Sequence, residues 1–341
     1  MDQTRKVSII GASGYSGAEL VSVLLKHSGV KIDKLFASGS AGKRVDDVYP
    51  RFAGTIDAAF EAYSASAACS SDLVFLALPS GEAMNIVPEL LERGKRVIDL
   101  GGDFRIQDPV EYERYYKQAH SSVHLLPQAV YGLPEWNREA IRGAKLVANP
   151  GCYPTGALLP LLPLLKEGTI APRGVVVNSL SGVSGAGRKA AIELSYVEVN
   201  ESVRAYKVGT HQHIPEIKSI LQHFTGHSVS LSFVPHLLPL TRGIYTSAYA
   251  PLQKAVSAEY VTDVFTRSYA KEPFIRFSPS AIPEIRNVRH TNYVDIGVRV
   301  DSDNNQLILF SAIDNLVKGA AGQAVQNMNL MLGYPETEGL L

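Results

Sequence analysis

The chain has little that would support a disulfide framework, a membrane anchor or a nucleic-acid interface. It contains only two cysteines, Cys69 and Cys152, which excludes a disulfide framework and suits a reducing compartment. Basic and acidic residues both number 33, so the formal net charge is zero and no basic surplus points to nucleic acid or an anionic membrane. No apolar run is long enough to cross a bilayer. The strand-like residues 7–10 meet Gly11 too early for a signal peptide. These absences predict a cytoplasmic protein.

What remains is an ordinary globular composition. Of the 341 residues, 45% are hydrophobic and 19% are charged, a balance typical of folded domains. A chain of this length is expected to form about two domains with substantial cores.

A glycine-rich turn follows the first predicted strand. Gly11, Gly14 and Gly17 have the spacing G-x-x-G-x-x-G, and a helical pattern begins at residue 18. Strand, glycine turn and helix in this order are what a dinucleotide-binding fingerprint requires, because the glycines allow close backbone approach and the helix start receives the pyrophosphate. The spacing is a variant of the usual fingerprint, and a glycine turn that binds nothing is the alternative interpretation.

The end of the second predicted strand, residues 31–37, indicates which dinucleotide is bound. An NAD site would place a carboxylate there for the ribose hydroxyls, and none is present. Ser38, Ser40, Lys43 and Arg44 instead offer hydroxyls and positive charge. We therefore expect NADP, with a solvated basic loop as the alternative.

Two further strands resemble those of a parallel sheet, where ligands bind at the carboxyl ends. Residues 73–78 are continuously apolar and lead into Pro79 and Ser80. Residues 96–100 lead into a loop that ends at Arg105, a candidate anion clamp for a substrate. A surface ion pair is the alternative role for this arginine.

The second half of the chain has a different pattern. Its predicted strands alternate apolar and polar residues, as in a sheet with one covered face. Residues 314–328 form a predicted helix rich in small residues, suited to close packing against the first domain. The predicted fold is therefore α/β: an N-terminal Rossmann domain over 1–150, an α+β catalytic domain over 151–313, and a C-terminal helix over 314–341 that returns to the Rossmann domain.

Cys152 lies in the turn-forming segment 149–156, directly before a long apolar run. Pro154 and Thr155 suit a helix start, where unpaired amides and the helix dipole favour a thiolate. The alternative is a buried structural cysteine, since free cysteines are often buried. The convergence of a turn, a helix start and an apolar wall favours a nucleophile.

A cysteine nucleophile usually needs an acid/base partner, and His211 and His213 are the candidates. Both precede Pro215, which can occupy a first helical turn, so we expect both in the loop before a helix. An imidazole is suited to proton transfer near neutrality. A zinc site would need further ligands, and no matching pair accompanies these histidines, so no metal is expected. A merely hydrogen-bonded loop histidine is the third possibility, and the residues alone do not choose between His211 and His213.

Several of these segments together resemble the N-acetyl-γ-glutamyl-phosphate reductase family, the acyl-phosphate reductases of arginine biosynthesis. The resemblance covers nearly the whole chain, and the cysteine and histidine segments are its most specific parts. One departure is Gly102, where alanine is commoner in the family. The matching segments are residues 11–17, 99–105, 131–135, 149–155, 181–187, 211–216 and 314–321.

The resemblance implies the fold of aspartate-semialdehyde and glyceraldehyde-phosphate dehydrogenases, an acyl-phosphate substrate, NADP(H), and a homodimer or homotetramer. Cys152 would form a thioester with the acyl group, with His213 as the expected acid/base residue and His211 in reserve. Substrate contacts are expected from Arg105, Asn149 and Glu216. The cofactor residues it implies are Gly11, Ser13, Gly14, Tyr15, Ser16, Gly17, Ser38, Ser40, Pro79, Ser80, Ser184, Gly185 and Asn315.

Two rival functions remain at this point. One is reduction of a carrier-linked aminoadipyl phosphate in a lysine pathway, although the zero net charge gives no sign of a basic rim for an acidic carrier. The other is an NADP-binding redox sensor without catalysis. The paired thiol and histidine segments argue against the sensor, because sensing needs no acid/base pair.

Overall fold

Two β-sheets organise the chain, which a computed structural model describes over residues 4–341. The strands in chain order are β1 (Arg5–Ile10), β2 (Val30–Phe36), β3 (Leu73–Leu76), β4 (Arg96–Asp99), β5 (Ala129–Tyr131), β6 (Leu146–Ala148), β7 (Val175–Gly182), β8 (Arg204–Ala205), β9 (Leu231–Leu238), β10 (Ile244–Pro251), β11 (Ile275–Ser278), β12 (Val294–Asp301) and β13 (Gln306–Ile313). The helices are α1 (Tyr15–Leu24), α2 (Val45–Val48), α3 (Ala65–Ala68), α4 (Ala83–Glu92), α5 (Pro109–Tyr116), α6 (Pro134–Gly143), α7 (Cys152–Lys166), α8 (Tyr196–Val199), α9 (His213–Thr225), α10 (Ala258–Tyr269) and α11 (Gly322–Leu332).

The chain divides into two compact units. The first contains the residues up to Pro150 together with Ala320–Leu341, and the second is Gly151–Gly319. Residues 314–319, which the sequence analysis grouped with the C-terminal helix, lie in the second unit.

The sheet of the first unit is six-stranded, in the order β2-β1-β3-β4-β6-β5. All its strand pairs are parallel. Its central strands are apolar on both faces, and Val74 and Phe75 are both fully buried, as expected where helices cover both sides of a parallel sheet. The predicted α/β arrangement is confirmed.

Helix α11 completes the core of this first unit. Ala324, Val325 and Met328 are buried in one apolar cluster with Val7 and Ile9 of β1, each large side chain contributing about 1.5–3 kcal/mol by burial. The helix also buries polar side chains, which are hydrogen-bonded within the unit: Gln323 Nε2 donates to the Gly132 carbonyl at 2.7 Å, and Asn329 Oδ1 lies 2.8 Å from His27 Nε2. Burial of these two polar atoms is tolerable because each has a hydrogen-bond partner.

The sheet of the second unit is seven-stranded and mixed, in the order β11-β12-β13-β10-β7-β9-β8. Alternate residues of β10 are buried and half-buried, which matches the alternation seen in the sequence. Helix α7 packs on β10 and β13, where Ser311 Oγ donates to the Gly156 carbonyl at 2.6 Å. Residues Tyr153–Leu165 of this helix are all buried, as expected of a helix that is apolar on every side.

The helix predicted over 314–328 is wrong in its first part. A π-helical turn spans Val317–Ala321, and α11 begins only at Gly322. The Asp314 carboxylate accepts hydrogen bonds from the amides of Leu316 and Val317 at 2.8 and 3.1 Å, and the Gly319 amide donates to the Asp314 carbonyl at 2.9 Å. These bonds widen the turn before the regular helix.

In the part of the chain that the structure describes, no helix is both long and apolar enough to cross a membrane.

Candidate active site

Cys152 is the first residue of α7 in the second unit, directly after the extended N-cap residue Gly151. Its side chain is partly exposed. The expected helix start is therefore present at the cysteine, and its environment favours the thiolate over the thiol.

Glu216 and His213 both contact the turn that carries this cysteine. Glu216 is fully buried, and its Oε1 accepts a hydrogen bond from the Gly151 amide at 2.8 Å. The other carboxylate oxygen lies 4.0 Å from His213 Nε2. A Cβ at position 151 would lie 2.5 Å from His213 Nε2, so only glycine lets the imidazole lie against this turn. The structure thus brings the cysteine turn, His213 and Glu216 together.

His211 and His213 have different surroundings. Helix α9 begins at His213, so only His211 precedes it, and the expectation of two loop histidines is wrong for His213. The His213 amide donates to His211 Nδ1 at 3.1 Å, so this ring nitrogen is an acceptor. Burial, with a smaller contribution from Lys207, lowers the pKa of His211 to about 3. His211 is therefore a neutral ring near neutral pH.

Two tyrosines extend this cluster, and the sequence analysis assigned neither of them a role. Tyr206 donates from its hydroxyl to that of Tyr153 at 3.0 Å, and Tyr153 donates to the His236 carbonyl at 3.2 Å. Burial raises the pKa of Tyr206, and the neighbouring Cys152 contributes in the same direction. Both tyrosines therefore stay protonated beside the thiol. Only their positions beside Cys152 and His211 in sequence hinted at this.

Ser184, Gly185 and Asn315, all expected at the cofactor, lie together in the second unit. Asn315 Nδ2 donates to Ser184 Oγ at 2.9 Å, and its Oδ1 accepts from the Gly243 amide at 2.8 Å. A Cβ at position 185 would lie 3.7 Å from Asn315 Nδ2. The turn Val183–Ala186, which follows β7, is thus tied to Asn315.

A buried ion pair adjoins this group and was missed by sequence reasoning. Arg242 Nη1 lies 3.4 Å from Asp314 Oδ2, and both side chains are almost completely buried. The same Asp314 oxygen accepts from the His290 amide at 2.8 Å. The pair anchors the segment before Asn315. In the sequence, the only hint that Asp314 lies at the site was its place directly before Asn315.

In the first unit, the glycine turn is tightly built. Gly11 has a φ of +86°, and a Cβ there would lie 2.3 Å from the Ala77 carbonyl oxygen after β3. A Cβ at Gly17 would lie 2.4 Å from the Gly11 carbonyl oxygen. Side chains are therefore excluded at both positions. Gly14 precedes α1 as its N-cap residue, so the turn presents a helix N-terminus that fits a pyrophosphate.

The other residues expected at the cofactor lie near this turn in sequence or at neighbouring strand ends. Ser13 accepts through its carbonyl from the Tyr49 hydroxyl at 2.9 Å. Tyr15 and Ser16 open α1. Ser38 and Ser40 are the first and last residues of a 3₁₀ turn that follows β2. Pro79 and Ser80 lie in the loop after β3 and are exposed.

Arg44, which was expected to supply positive charge here, is already paired. Its guanidinium contacts the Asp46 carboxylate at 2.9 Å and the Asp57 carboxylate at 2.9 Å, and these two carboxylates raise its pKa. Lys43 is exposed.

Arg105 and Asn149 are joined in the first unit. Arg105 is 8% exposed; its Nε donates to the Asn149 carbonyl at 2.8 Å and its Nη2 to the Leu100 carbonyl at 2.6 Å. Asn149 is fully buried, donating to the Ala320 carbonyl at 3.2 Å and accepting from Asn327 at 3.0 Å. This network positions the guanidinium and the strand end that precedes the cysteine turn.

Residues 4–341 contain no group of three or more His, Cys, Asp and Glu side chains that could hold a metal ion. The two histidines near Cys152 therefore have no further ligand set within the described chain.

Both units match known protein families. Residues 6–144 match the family described as semialdehyde dehydrogenase, NAD binding domain, and residues 152–315 match semialdehyde dehydrogenase, dimerisation domain. Solved structures agree on the fold. Aspartate semialdehyde dehydrogenase II from Vibrio cholerae superposes with a TM-score of 0.75 at 21% identity, over 97% of this chain and 99% of that one. The Candida albicans aspartate semialdehyde dehydrogenase with NADP gives 0.72 at 20% identity, over 97% and 99%. These matches define a two-domain semialdehyde dehydrogenase class that uses a nicotinamide dinucleotide.

Relatives of closer sequence identify the particular family. An N-acetyl-gamma-glutamyl-phosphate reductase of Alkalilimnicola ehrlichii is 48% identical over 98% of this chain and 97% of its own length. That of Pelotomaculum thermopropionicum is also 48% identical over 98% and 97%, and that of Geobacter sulfurreducens 46% over 98% and 97%. The chain belongs to the N-acetyl-gamma-glutamyl-phosphate reductase family, which confirms the resemblance seen in the sequence.

Proposed function

We propose that this protein reduces N-acetyl-γ-glutamyl phosphate to N-acetylglutamate 5-semialdehyde and phosphate, with NADPH as reductant, in arginine biosynthesis. One observation carries the proposal: a chain 48% identical to such a reductase over 98% of its length holds a cysteine at a helix start, with His213 and Glu216 against the same turn. This is the arrangement that acyl transfer through a thiolate requires.

The chemistry follows from the position of Cys152. Its thiolate attacks the acyl carbonyl, and the C–O bond to phosphate breaks as the thioester forms. NADPH, when bound, supplies the hydride that reduces the thioester carbonyl. An acid must protonate the resulting alkoxide, and collapse of the hemithioacetal then releases the aldehyde and restores the thiol group. The start of α7 stabilises negative charge on the sulfur before attack and after release.

We infer that His213, rather than His211, is the acid/base residue. The low pKa of His211, about 3, keeps that ring neutral and unable to donate a second proton near pH 7. Its Nδ1 also accepts the His213 amide, which holds the start of α9. His213 lies against Gly151, next to the nucleophile in the chain, and has the Glu216 carboxylate 4.0 Å away to stabilise an imidazolium.

We further propose that Arg105 binds an anionic oxygen of the substrate. Its guanidinium is held by two backbone carbonyls, so binding would cost little conformational entropy. Asn149 and Glu216 were also expected to touch substrate. Their full burial and internal hydrogen bonds support positioning of Arg105 and of the cysteine turn as their main contribution.

We propose NADP as the particular dinucleotide. Residues 37–44, which follow β2, contain no carboxylate. Ser38 and Ser40 begin and end the turn in this segment, and Lys43 is exposed nearby. Arg44 is engaged by two aspartates, so Lys43 is the better candidate for the charge on the 2′-phosphate. Lys43→Glu should raise KM for NADP⁺ at least ~10-fold while leaving KM for NAD⁺ within about 2-fold, since an attraction to the 2′-phosphate is replaced by a repulsion.

We also propose a homodimer or homotetramer working in the cytoplasm. The match to a dimerisation domain supports assembly, and a reactive thiol is best preserved in a reducing compartment.

The proposal is tested by running the reaction in reverse and monitoring the absorbance of the NADPH that forms. N-acetylglutamate semialdehyde, phosphate and NADP⁺ should give phosphate-dependent NADPH formation, with aspartate semialdehyde as the comparison substrate. Cys152→Ala should abolish the signal while NADP⁺ binding is retained. Cys69→Ser is the matched control, because it removes the other cysteine and should leave the rate unchanged.

Other results would point elsewhere. A folded, NADP-binding protein that is silent with this substrate contradicts the proposal and favours a carrier-linked aminoadipyl phosphate, which can be assayed in the same direction. If Cys152→Ala retains turnover, Cys152 is not the nucleophile.

A further inference from the structure

Asp103 is a buried carboxylate to which the proposed reaction gives no role. It lies in the loop after β4, two residues before Arg105, and its side chain is fully buried. A carboxylate is costly to bury unless hydrogen-bond donors surround it. The donors around Asp103 therefore indicate which parts of the molecule this residue holds in place.

Two of these donors are backbone amides of the segment that joins β3 to α4. The Gly81 amide donates to Asp103 Oδ1 at 2.7 Å, and the Met84 amide donates to Oδ2 at 3.1 Å. Gly81 has a φ of +98°, a conformation that residues with side chains rarely adopt. Asp103 therefore holds this segment at two points.

The bond to the Met84 amide also caps helix α4. The helix begins at Ala83, and its N-cap residue Glu82 provides no side-chain hydrogen bond. The first amides of a helix need partners from outside it, and a carboxylate is favoured there because it interacts with the positive end of the helix dipole. The loop after β4 thus supplies the cap for α4.

The loop that carries Asp103 has anchors of its own. The Tyr112 hydroxyl donates to Asp103 Oδ1 at 2.8 Å; burial and the charge of Asp103 raise the pKa of this tyrosine, so it stays protonated. Burial lowers the pKa of His120, and its Nδ1 accepts from the Ser122 amide at 3.1 Å. The neutral ring therefore donates from Nε2 to the Asp103 carbonyl, 2.9 Å away. Asp103 is a fixed point against which the segment after β3 is held.

This segment lies between the glycine turn and the loop of Arg105. Strand β3 pairs in parallel with β1 on one side and with β4 on the other, so the carboxyl ends of the three strands lie side by side. Gly11 is packed against the end of β3, since a Cβ there would lie 2.3 Å from the Ala77 carbonyl oxygen. Ligands bind at this edge of a parallel sheet. A dinucleotide with its pyrophosphate at the turn would extend over residues 79–81, where Pro79 and Ser80 are exposed.

We propose that Asp103 is a positioning residue for the nicotinamide dinucleotide, which holds residues 79–81 in their binding conformation without touching the cofactor. The inference rests on the proposed function, in which the protein uses NADP, and on the contacts expected from Pro79 and Ser80. A segment that is already held needs no ordering when the ligand binds. Loss of Asp103 should therefore weaken cofactor binding and leave substrate binding at Arg105 unchanged.

Asp103→Asn tests the proposal by calorimetric titration with NADP⁺. The asparagine side chain has one oxygen and one donor nitrogen, so it can accept from only one of the two backbone amides. We expect the Kd of NADP⁺ to rise at least ~10-fold in D103N, because binding must then order the segment. A wild-type Kd in D103N would overturn the proposal.

Tyr112→Phe is the matched control. It removes a third donor to the same carboxylate and alters the same buried network, but it leaves the bonds from Gly81 and Met84 in place. The Kd of NADP⁺ in Y112F should stay within about 2-fold of wild type. An equal rise in both variants would assign the effect to general damage of the core and overturn the proposal.

Steady-state kinetics of the reverse reaction give the second readout. In D103N, KM for NADP⁺ should rise with the Kd, while kcat at saturating NADP⁺ stays within about 3-fold, as expected when only binding is lost. KM for the semialdehyde should stay within about 2-fold, because Arg105 keeps both of its carbonyl partners. An equal rise in both KM values would contradict a role specific to the cofactor.

Hydrogen exchange on the unmodified chain keeps the proposal testable if D103N does not fold. The Gly81 amide, although it lies outside the helices and strands, should exchange at least ~100-fold more slowly than the same amide in an unstructured peptide. Exchange at the unstructured rate would overturn the proposal. Calorimetry and exchange need no turnover, so a wild type that gives these results but is silent with N-acetylglutamate semialdehyde contradicts only the proposed reaction.

Discussion

Gly319 lies directly against Cys152. A Cβ at position 319 would be 2.8 Å from the Cys152 Cβ and 3.3 Å from its Cα. Gly319 lies in the π-helical turn Val317–Ala321, and such turns occur frequently at functional sites. The absence of a side chain at 319 therefore sets the position of the nucleophile.

Gly319→Ala should displace Cys152 by several tenths of an ångström and lower kcat by ~10–100-fold, because small misplacements of reacting groups are costly. Alkylation of Cys152 by iodoacetamide should slow in parallel. Gly143→Ala is the control, since a Cβ at 143 meets no atom within 4 Å. Wild-type kcat and alkylation in G319A would show that the contact does not position the thiol.

Substituting each histidine with asparagine should distinguish the role of His213 from that of His211. His213→Asn should lower kcat by ~10²–10⁴-fold, the usual range for a general acid/base residue. His211→Asn should cost less than ~10-fold, because the asparagine oxygen can still accept from the His213 amide in place of Nδ1. In the reverse reaction, where His213 accepts the proton, the pH profile of kcat/KM should keep its acidic limb in H211N and lose it in H213N. The opposite pattern would assign proton transfer to His211.

His211 should make the fold sensitive to acid. Its folded-state pKa, lowered to about 3 by burial, lies below the unfolded value near 6.5. As pH falls below about 6.5, the unfolded chain takes up the proton first, so the free energy of unfolding decreases until about pH 3. At pH 5 this contribution amounts to about 2 kcal/mol relative to pH 8. Urea denaturation at both pH values should show the loss in wild type and a smaller one in His211→Gln. An equal pH dependence in both proteins would mean that His211 is not the group responsible.

Glu216→Gln should distinguish a positioning role from a substrate contact. The glutamine oxygen can still accept from the Gly151 amide, as Oε1 does at 2.8 Å, but the charge beside His213 is lost. In the reverse reaction, a positioning role predicts a fall in kcat with KM within about 2-fold. It also predicts a lowered pKa of the acidic limb of the kcat/KM profile, because the carboxylate favours the imidazolium. A rise in KM for the semialdehyde with kcat retained would instead indicate direct substrate binding.

Gly102 is constrained by the packing around it. A Cβ there would lie 2.2 Å from the Tyr116 hydroxyl, and Tyr116 is stacked on Tyr112 with ring centroids 4.5 Å apart. Gly102→Ala should therefore lower the free energy of unfolding by ~1–3 kcal/mol through overpacking, with kcat little changed. Gly102→Ala/Tyr116→Phe should recover part of the loss. Stability equal to wild type in G102A would show that Tyr116 moves aside freely.

The helix start at Cys152 and the glycine turn at Gly11 could be predicted from local sequence, because residues adjacent in the chain determine both. The turn at Asn149 and the apolar run after Cys152 are contiguous, so the helix start at the cysteine could be predicted. The glycine turn at Gly11 was equally local. These patterns also indicated the parallel sheet and the alternating strands of the second unit.

The contacts that complete the site join residues far apart in the chain, and local sequence does not show which residues meet. Gly319 was only one small residue within an apparently regular helix, and nothing near Cys152 in sequence indicates its contact. The Arg242–Asp314 pair likewise depends on the pairing of β10 with β13, and Tyr206 is placed by the pairing of β8 with β9. The division of labour between His211 and His213 depends on burial, which the H-x-H pattern alone does not determine.

The return of residues 320–341 to the first unit has a consequence for biosynthesis. On the ribosome, Gly151–Gly319 is synthesised before the segment that completes the core around Val7 and Ile9. The unit that begins the chain is therefore the later one to be completed, although N-terminal domains usually fold first. Until α11 emerges, the nascent first unit presents the apolar surface that Ala324, Val325 and Met328 will cover, and chaperones that bind exposed apolar surface have a defined interval in which to act.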